Sequence, residues 1–245
     1  MLNTILEVRS NENIARDVYR MELAGDSSHI TRPGQFINIK LDGLYLRRPI
    51  SVCDRSDDSI TIIYKVVGKG TEQMSRMTGG EKLDTLVGLG NGFDVSRSGE
   101  RPLIIGGGVG TPPMYLLAKE LIKAGSTPTA VTGFNSAADV ILERELSDLG
   151  IKVIVTTADG SYGIKGFVTD AFAGLDYTYF YTCGPEPMLK AVYHATETEG
   201  EMSFEERMGC GFGACMGCTC KTKYGNKRIC RDGPVLTKSE VIFDD

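Results

Sequence analysis

The chain has 245 residues, enough for two ordinary domains or one large one. Its 27 Lys and Arg against 32 Asp and Glu leave a formal charge of −5, and with no basic run it is a poor candidate for binding nucleic acid or an anionic membrane. Hydrophobic (41%) and charged (24%) residues stand near globular averages, no apolar stretch reaches the ~18 residues of a membrane span, and the N-terminal MLNTILEVRSNENIARD lacks a secretory layout, so a soluble cytoplasmic protein is expected.

The first hundred residues read as short strands. TILEVRS, DVYRMEL, GQFINIKL, ITIIYKVV and LDTLVGL are rich in Ile, Val, Thr and Tyr, and AGDSS, RPG, LDG, DRSDDS and TGG separate them with turn residues. Many short antiparallel strands without a long helix predict a small barrel over 1–99. Within it, Arg48-Pro49-Ile50-Ser51 closes an apolar strand containing Tyr45 and Leu46. An Arg beside a Ser on a barrel strand can hold a pyrophosphate and hydrogen-bond a flavin ring edge; the plain alternative is an exposed Arg on a strand. Gly68-Lys69-Gly70-Thr71 follows, a glycine-rich turn entering TEQMSRM, where Thr71 can cap a short helix and phosphate can meet backbone donors. Together the two segments point to a flavin dinucleotide. Cys53 reads as barrel core, and Met74 and Met77 as packing.

From about residue 101 strands and helices alternate: RPLIIGGG, TPPMYLLAKELIKAG, TPTAVTGF, ADVILERELSDLG, IKVIVTT, YTYFYTC and PEPMLKAVYHATE. Pro112 and Pro113 suit a helix start and Gly125 its end. This rhythm predicts a doubly wound parallel-sheet domain over 100–202. Gly106-Gly107-Gly108-Val109-Gly110-Thr111 lies between a strand and a helix, as a dinucleotide-binding turn must. Pro113 sits where the third glycine of the usual fingerprint would be, and no acidic residue closes the second strand, so the turn can also be only a tight connection. Cys183-Gly184, at the carboxyl end of the last strand, stands where open sheets bind ligands; the alternative for Cys183 is a buried small hydrophobe. His194 reads as a surface residue.

The last segment, 203–245, is rich in Gly and Cys and too poor in apolar periodicity to hold itself together by packing. Five of the seven cysteines fall here, in Cys210-GFGA-Cys215-MG-Cys218, then Cys220 and Cys230. The C-x4-C-x2-C…C spacing is the plant-type pattern for a [2Fe–2S] cluster, with Cys210, Cys215, Cys218 and Cys230 as ligands. Gly209, Gly211, Gly213 and Gly217 let the loop bend around it. Four thiolates also satisfy tetrahedral zinc, although zinc sites more often use two C-x-x-C pairs and only one is present. Cys220 is the surplus thiol and is expected to point away.

RPIS, GKGT, GNGFDV at 90–95, GGGVGTPP, DGSYGIKG, CGPEPM and ERMGCGFGACMGC occur in the order seen in the ferredoxin–NADP reductase superfamily, and over essentially the whole chain the sequence resembles the electron-transfer subunits of type B dihydroorotate dehydrogenase. That resemblance implies FAD held by Arg48, Pro49, Ile50, Ser51, Lys65, Val66, Val67, Gly70 and Thr71. It implies a nicotinamide nucleotide at Gly106, Gly107, Gly108, Gly110, Thr111, Cys183 and Gly184. Ile50 takes the place of a Tyr that covers the flavin in many relatives. Asn135 and Ser136 stand near the expected adenosine end with no Arg for a 2′-phosphate, which favours NAD over NADP. The resemblance further implies a heterotetramer with two copies of an FMN-containing catalytic subunit, in the pathway to UMP, with electrons passing from FMN through the cluster and FAD to NAD⁺. With two nucleotide domains and a cluster tail, the chain has no room for a catalytic barrel of ~250 residues. It is therefore expected not to oxidise dihydroorotate alone. Sulfide dehydrogenases, ferredoxin:NADP reductases and hydrogenases with small subunits of this architecture are the alternative settings.

Overall fold

The computed structural model describes residues 1–243. Strands β1 (Leu2–Ala15), β2 (Val18–Ala24), β3 (Phe36–Ile39), β4 (Arg48–Arg55), β5 (Ser59–Lys65) and β6 (Lys82–Leu89) close an antiparallel barrel in the order β1-β2-β5-β4-β3-β6. Alternation fills it. Leu6 and Val8 of β1, Ile37 and Ile39 of β3, and Ile60 and Ile62 of β5 point inward to one apolar core, whereas Phe36 and Asn38, the alternate residues of β3, face out of the barrel and are buried elsewhere. RPIS opens β4 instead of closing a strand: Tyr45 and Leu46 lie in the preceding loop, and Tyr45 is fully exposed.

Between β5 and β6 lies α1 (Lys69–Ser75). Thr71 stands inside this helix, not at its cap. Its hydroxyl accepts from the Val67 (2.9 Å) and Gly68 (3.3 Å) N–H groups and so ties the turn to the helix.

The second unit alternates β7 (Pro102–Gly107), α2 (Pro112–Lys123), β8 (Thr129–Phe134), α3 (Glu143–Asp148), β9 (Lys152–Thr157), β10 (Ile164–Lys165), α4 (Val168–Phe172), β11 (Tyr179–Cys183), α5 (Glu186–Ala195) and β12 (Gly200–Ser203). The sheet is wound on both faces. Ile104 and Ala130 pack with α2 and α3 on one side, while Leu103, Ile105 and Val131 pack with α4 and α5 on the other. The helix expected over 138–150 is reduced to α3, because Leu142 adopts a left-handed φ of 62° and Ala137–Asp139 forms a separate turn.

The tail adds β13 (Thr219–Thr222), β14 (Gly225–Arg228), α6 (Ile229–Asp232) and β15 (Val235–Thr237). It is not an appendage. β15 pairs antiparallel with β12 and becomes the last strand of the nucleotide sheet, whose order is β10-β9-β8-β7-β11-β12-β15. Asn91, from the GNGFDV segment, clamps the junction. Its amide donates to the Val235 carbonyl (2.8 Å) and accepts from the Val235 N–H (3.1 Å), while its backbone N–H donates to the Gly233 carbonyl (2.7 Å).

Barrel and sheet meet along a seam in which Val18, Cys53 and Ile63 pack against Met114 and Leu117 of α2. Cys53 is thus buried at the interface and not in the barrel interior. The Lys119–Asp54 pair (2.6 Å) and the Arg20–Glu145 pair edge this seam. Among the described residues no helix is long and apolar enough to cross a membrane.

Candidate functional site

Three adjoining features occupy the groove between barrel, sheet and tail. The first is a cleft of about 1150 Å³, counted to its open mouth, lined by Arg48, Pro49, Ile50, Ser51, Lys65, Val67 and Thr71 from the barrel. Cys183, Glu205 and Phe36 complete its far side. Gly70 matters through what it lacks: a Cβ there would lie 2.2 Å from Arg48 Nε, so the guanidinium rests directly on the glycine. A long cleft with one anchored cation, a turn of backbone N–H groups beside it and apolar walls of Pro49, Ile50 and Val67 fits a flavin dinucleotide in charge, size and polarity. Val66 is outside the cleft; its N–H donates to the Asp17 carbonyl (2.8 Å).

The second cleft, about 1250 Å³, runs under the carboxyl ends of β7, β8 and β9 and over Pro185 and Met188. Gly107 and Gly108 line it, and Lys65 and Val109 belong to both clefts. Gly106, Gly110, Thr111 and Gly184 do not line it; they set its wall. A Cβ on Gly110 would sit 2.3 Å from the Cys183 carbonyl oxygen, and one on Gly106 would sit 2.8 Å from Thr111 Cα. The glycine turn and the Cys183-Gly184 loop therefore touch backbone to backbone. Cys183 is 3% exposed, and burial, then the nearby Glu205, pushes its thiol up to about 12, so it is a neutral group. Glu205 lines the first cleft and is exposed to solvent, and the protein around it raises its carboxyl above the usual range.

The third feature is the cysteine loop. Gly211 and Gly213 adopt φ of +82° and +89°, which bends the chain between Cys210 and Cys215. The Cys210 sulfur accepts from the N–H groups of Ala214 (3.2 Å) and Cys215 (3.5 Å), and the Cys218 sulfur from that of Cys230 (3.4 Å). Burial acts against the Cys210 thiolate, but N–H groups of Cys215, Phe212 and Ala214 outweigh it and hold its pKa down to about 6. The cysteines lie in two neighbouring pairs, Cys215 donating its N–H to the Cys210 sulfur and Cys230 its N–H to the Cys218 sulfur. Among the described residues no three His, Cys, Asp or Glu side chains gather around one point. Two thiol pairs on an N–H-lined loop fit a two-iron group better than the single tetrahedral point of zinc. Cys218 and Cys230 are each 1% exposed, whereas Cys215 is at the surface. Cys220 lies on β13 opposite Lys227, in neither pair.

Two residues unremarkable in the sequence join these features. Phe36 packs in the same apolar core as Cys218 and Cys230 and also lines the first cleft. Asn38 donates to the Cys210 carbonyl (3.3 Å), and a Cβ on Gly211 would lie 2.3 Å from its amide nitrogen. The outward face of β3 is thus the partition between the cleft and the cysteine loop. No local signal marks it, since its partners lie far along the chain. His194 is exposed, Met74 is core and Met77 packs beside it.

Comparison with known proteins agrees with this arrangement. Residues 205–242 match the iron–sulfur cluster binding domain of dihydroorotate dehydrogenase B. The electron transfer subunit of dihydroorotate dehydrogenase B (NAD(+)) from Shouchella clausii is 42% identical, with 97% of each chain covered. The subunit of the same name from Fusobacterium nucleatum subsp. nucleatum is 44% identical, again over 97% of each. Among solved structures, an NADH-dependent reduced ferredoxin-NADP oxidoreductase superposes with a TM-score of 0.88 at 30% identity, covering 98% of this chain and 90% of that one. By fold, sequence and cysteine loop, the chain belongs to the family of electron transfer subunits of dihydroorotate dehydrogenase B.

Proposed function

We propose that this chain takes electrons from a catalytic partner through a [2Fe–2S] cluster on Cys210, Cys215, Cys218 and Cys230, passes them to FAD in the barrel cleft and delivers them to NAD⁺. The observation that carries this reading is the continuity of the three features: Phe36 belongs both to the apolar core that holds the inner cysteine pair and to the lining of the flavin cleft, and Lys65 and Val109 line both that cleft and the nucleotide cleft. The chain divides accordingly into an FAD part (1–99), an NAD part (100–202) and a cluster part (203–245).

Bound there, the cluster handles single electrons and FAD converts pairs of them into hydride chemistry. Arg48 brings positive charge to the FAD pyrophosphate beside the Gly70–Thr71 turn, and Ser51 offers a hydroxyl at the ring edge. Pro49, Ile50 and Val67 exclude water from it. Gly107 and Gly108 let a nucleotide approach the backbone, with Cys183 a neutral, packed wall between the two cofactors. A hydride is two electrons and one proton, and electrons leaving a cluster bring no proton. One proton must therefore cross the protein for each NADH formed. Glu205, a solvent-exposed carboxyl at the cleft, is placed to relay it from water.

The donor is an FMN-containing subunit that oxidises dihydroorotate to orotate, assembled as two catalytic and two electron-transfer chains in the pathway to UMP. The exposed side of the cysteine loop, with Cys215, Phe212 and Met216, faces it. A second setting, a ferredoxin-NADP oxidoreductase complex, draws support from the 0.88 TM-score; the two differ in which partner restores turnover. The test is anaerobic addition of NADH to the purified chain alone. Loss of flavin colour together with a reduced-cluster electron paramagnetic resonance signal supports the path. Flavin reduction with the cluster left oxidised over hours refutes it, as does absence of either centre.

A further inference from the structure

The cysteine loop leans on an ion pair that lies outside the four cysteines. Arg228, the last residue of β14, precedes Cys230 by two and pairs across to β13 with Thr219, the neighbour of Cys218. Its guanidinium uses its two edges differently. Nη1 donates to the carbonyl of Gly213, between Cys210 and Cys215 (3.0 Å). Nε (3.0 Å) and Nη2 (3.3 Å) donate to the two oxygens of the Asp232 carboxylate, which also accepts from the Arg228 backbone N–H (3.0 Å). Arg228 thus reaches all three ligand-bearing segments, and its side chain is only 23% exposed. The Gly213 carbonyl belongs to the same peptide group as the Ala214 N–H, and that N–H donates to the Cys210 sulfur (3.2 Å). One peptide unit therefore links the guanidinium to the Cys210 sulfur.

We propose that Arg228 raises the reduction potential of the cluster and that Asp232 limits the rise, so that the pair sets how readily electrons enter this chain. This rests on reading Cys210, Cys215, Cys218 and Cys230 as the ligands of a [2Fe–2S] group. Reduction adds one electron, and so one negative charge, to the thiolate-bound irons. A fixed cation nearby and N–H groups aimed at the sulfurs both favour the more negative state. Arg228 supplies the first and reinforces the second. Its charge acts directly across a partly desolvated path. Its bond to the Gly213 carbonyl polarises the peptide and strengthens the Ala214 N–H as a donor to Cys210. Asp232 opposes the direct part, because it offsets the guanidinium charge from the edge that does not bond Gly213. Arg231 provides the contrast on the same loop. Its stem packs on Gly213, where a Cβ would lie 2.7 Å from its Cδ, but the residue is exposed and its charge is screened by solvent.

The test uses the full chain with its flavin and cluster loaded, in wild-type form and as R228M, R228K, D232N and R231Q. Each is poised anaerobically with dithionite and mediator dyes over a series of potentials, and reduced cluster is counted by its electron paramagnetic resonance signal. At the potential that reduces half of the wild-type clusters, the reduced-to-oxidised ratio is expected to fall about threefold or more in R228M and to rise in D232N. R228K, which keeps the charge, is expected to lie between R228M and wild type, and R231Q to match wild type. The flavin, titrated by its visible absorbance in the same samples, should keep its wild-type midpoint. Opposite signs are the signature, since simple damage to the loop moves R228M and D232N the same way. Where R228M does not hold iron, D232N decides alone: a ratio above wild type supports the proposal, and one at or below it overturns the proposal. R228M and D232N shifting together, or R231Q shifting as far as R228M, overturns it as well. Wild-type protein that gives no reduced-cluster signal at any potential overturns instead the reading of the four cysteines as cluster ligands.

Discussion

Replacing Gly110 with Ala tests whether the glycine turn and the Cys183 loop form one wall of the nucleotide site. The new Cβ would meet Cys183 O at 2.3 Å, Cys183 C at 2.5 Å and Gly184 Cα at 2.7 Å. All three are main-chain atoms, so no side chain can swing away. The two loops must separate by roughly 1 Å to restore ordinary van der Waals contact, an overpacking that costs about 1–3 kcal/mol. If about 2 kcal/mol of it falls on the nucleotide-bound state, the dissociation constant for NADH rises about 30-fold. Cluster content should not change, because the four cysteines lie on other elements, and any loss of FAD, whose cleft Cys183 also lines, is read from the visible spectrum. The assay is NADH-dependent dye reduction over a range of concentrations, with visible spectra recorded before mixing. G125A is the control: Gly125 has a φ of +89° but no atom within 4 Å of the added methyl. It should lower the melting temperature modestly and leave NADH affinity alone. If G110A binds NADH within twofold of wild type at full stability, the backbone contact is not part of the nucleotide wall and the argument fails.

Three other perturbations follow from the same geometry. G70A drives a methyl into Arg48 and should yield protein with less FAD but a normal cluster signal, measured as the flavin-to-iron ratio. N91A removes both side-chain bonds at Val235 and leaves buried main-chain groups unpaired, a loss of about 2–4 kcal/mol; iron release to a chelator should accelerate before the barrel unfolds. Glu201, 5% exposed, has its carboxyl raised from 4.5 to about 7 by burial, against the hydrogen bond it accepts from the Asp94 N–H. The folded state therefore binds this proton more tightly than the unfolded chain. The associated stability is complete below pH 4.5 and is lost as pH rises through 7. Up to about 3 kcal/mol is at stake, and E201Q should flatten the fall in denaturation midpoint between pH 5 and pH 8.5.

What was legible in the sequence is what is local in the chain. The cysteine spacing from Cys210 to Cys218, the glycine turn with its following prolines and the RPIS segment each fall within a dozen residues, because a loop around a cluster or a phosphate is contiguous. The alternation of strand and helix likewise revealed the doubly wound sheet. The seam was hidden. Asn38 meets Cys210 across 172 residues and Arg16 meets Ser136 across 120, and nothing in either neighbourhood announces the other. No Arg stands near Asn135 and Ser136 along the strand, yet Arg16 reaches Ser136 across the seam. The tail showed too little apolar periodicity to reveal its strands; β15 gains its stability by pairing with β12, a contact set by topology and not by propensity. The 138–150 helix was cut short at Leu142, whose left-handed backbone no propensity scale anticipates.

The central claim is an electron path through this chain from a dihydroorotate-oxidising partner to NAD⁺. The most direct measurement is NADH formation from dihydroorotate and NAD⁺ under anaerobic conditions, with this chain and its FMN-containing partner present separately and together. The partner alone should reduce a dye but make no NADH, this chain alone should do neither with dihydroorotate, and the mixture should form NADH. The C218S variant, lacking an inner cluster ligand, should abolish that coupling while sparing NADH-dependent dye reduction. NADH formation that persists without the cluster, or that never appears in a mixture of fully loaded subunits, would contradict the account.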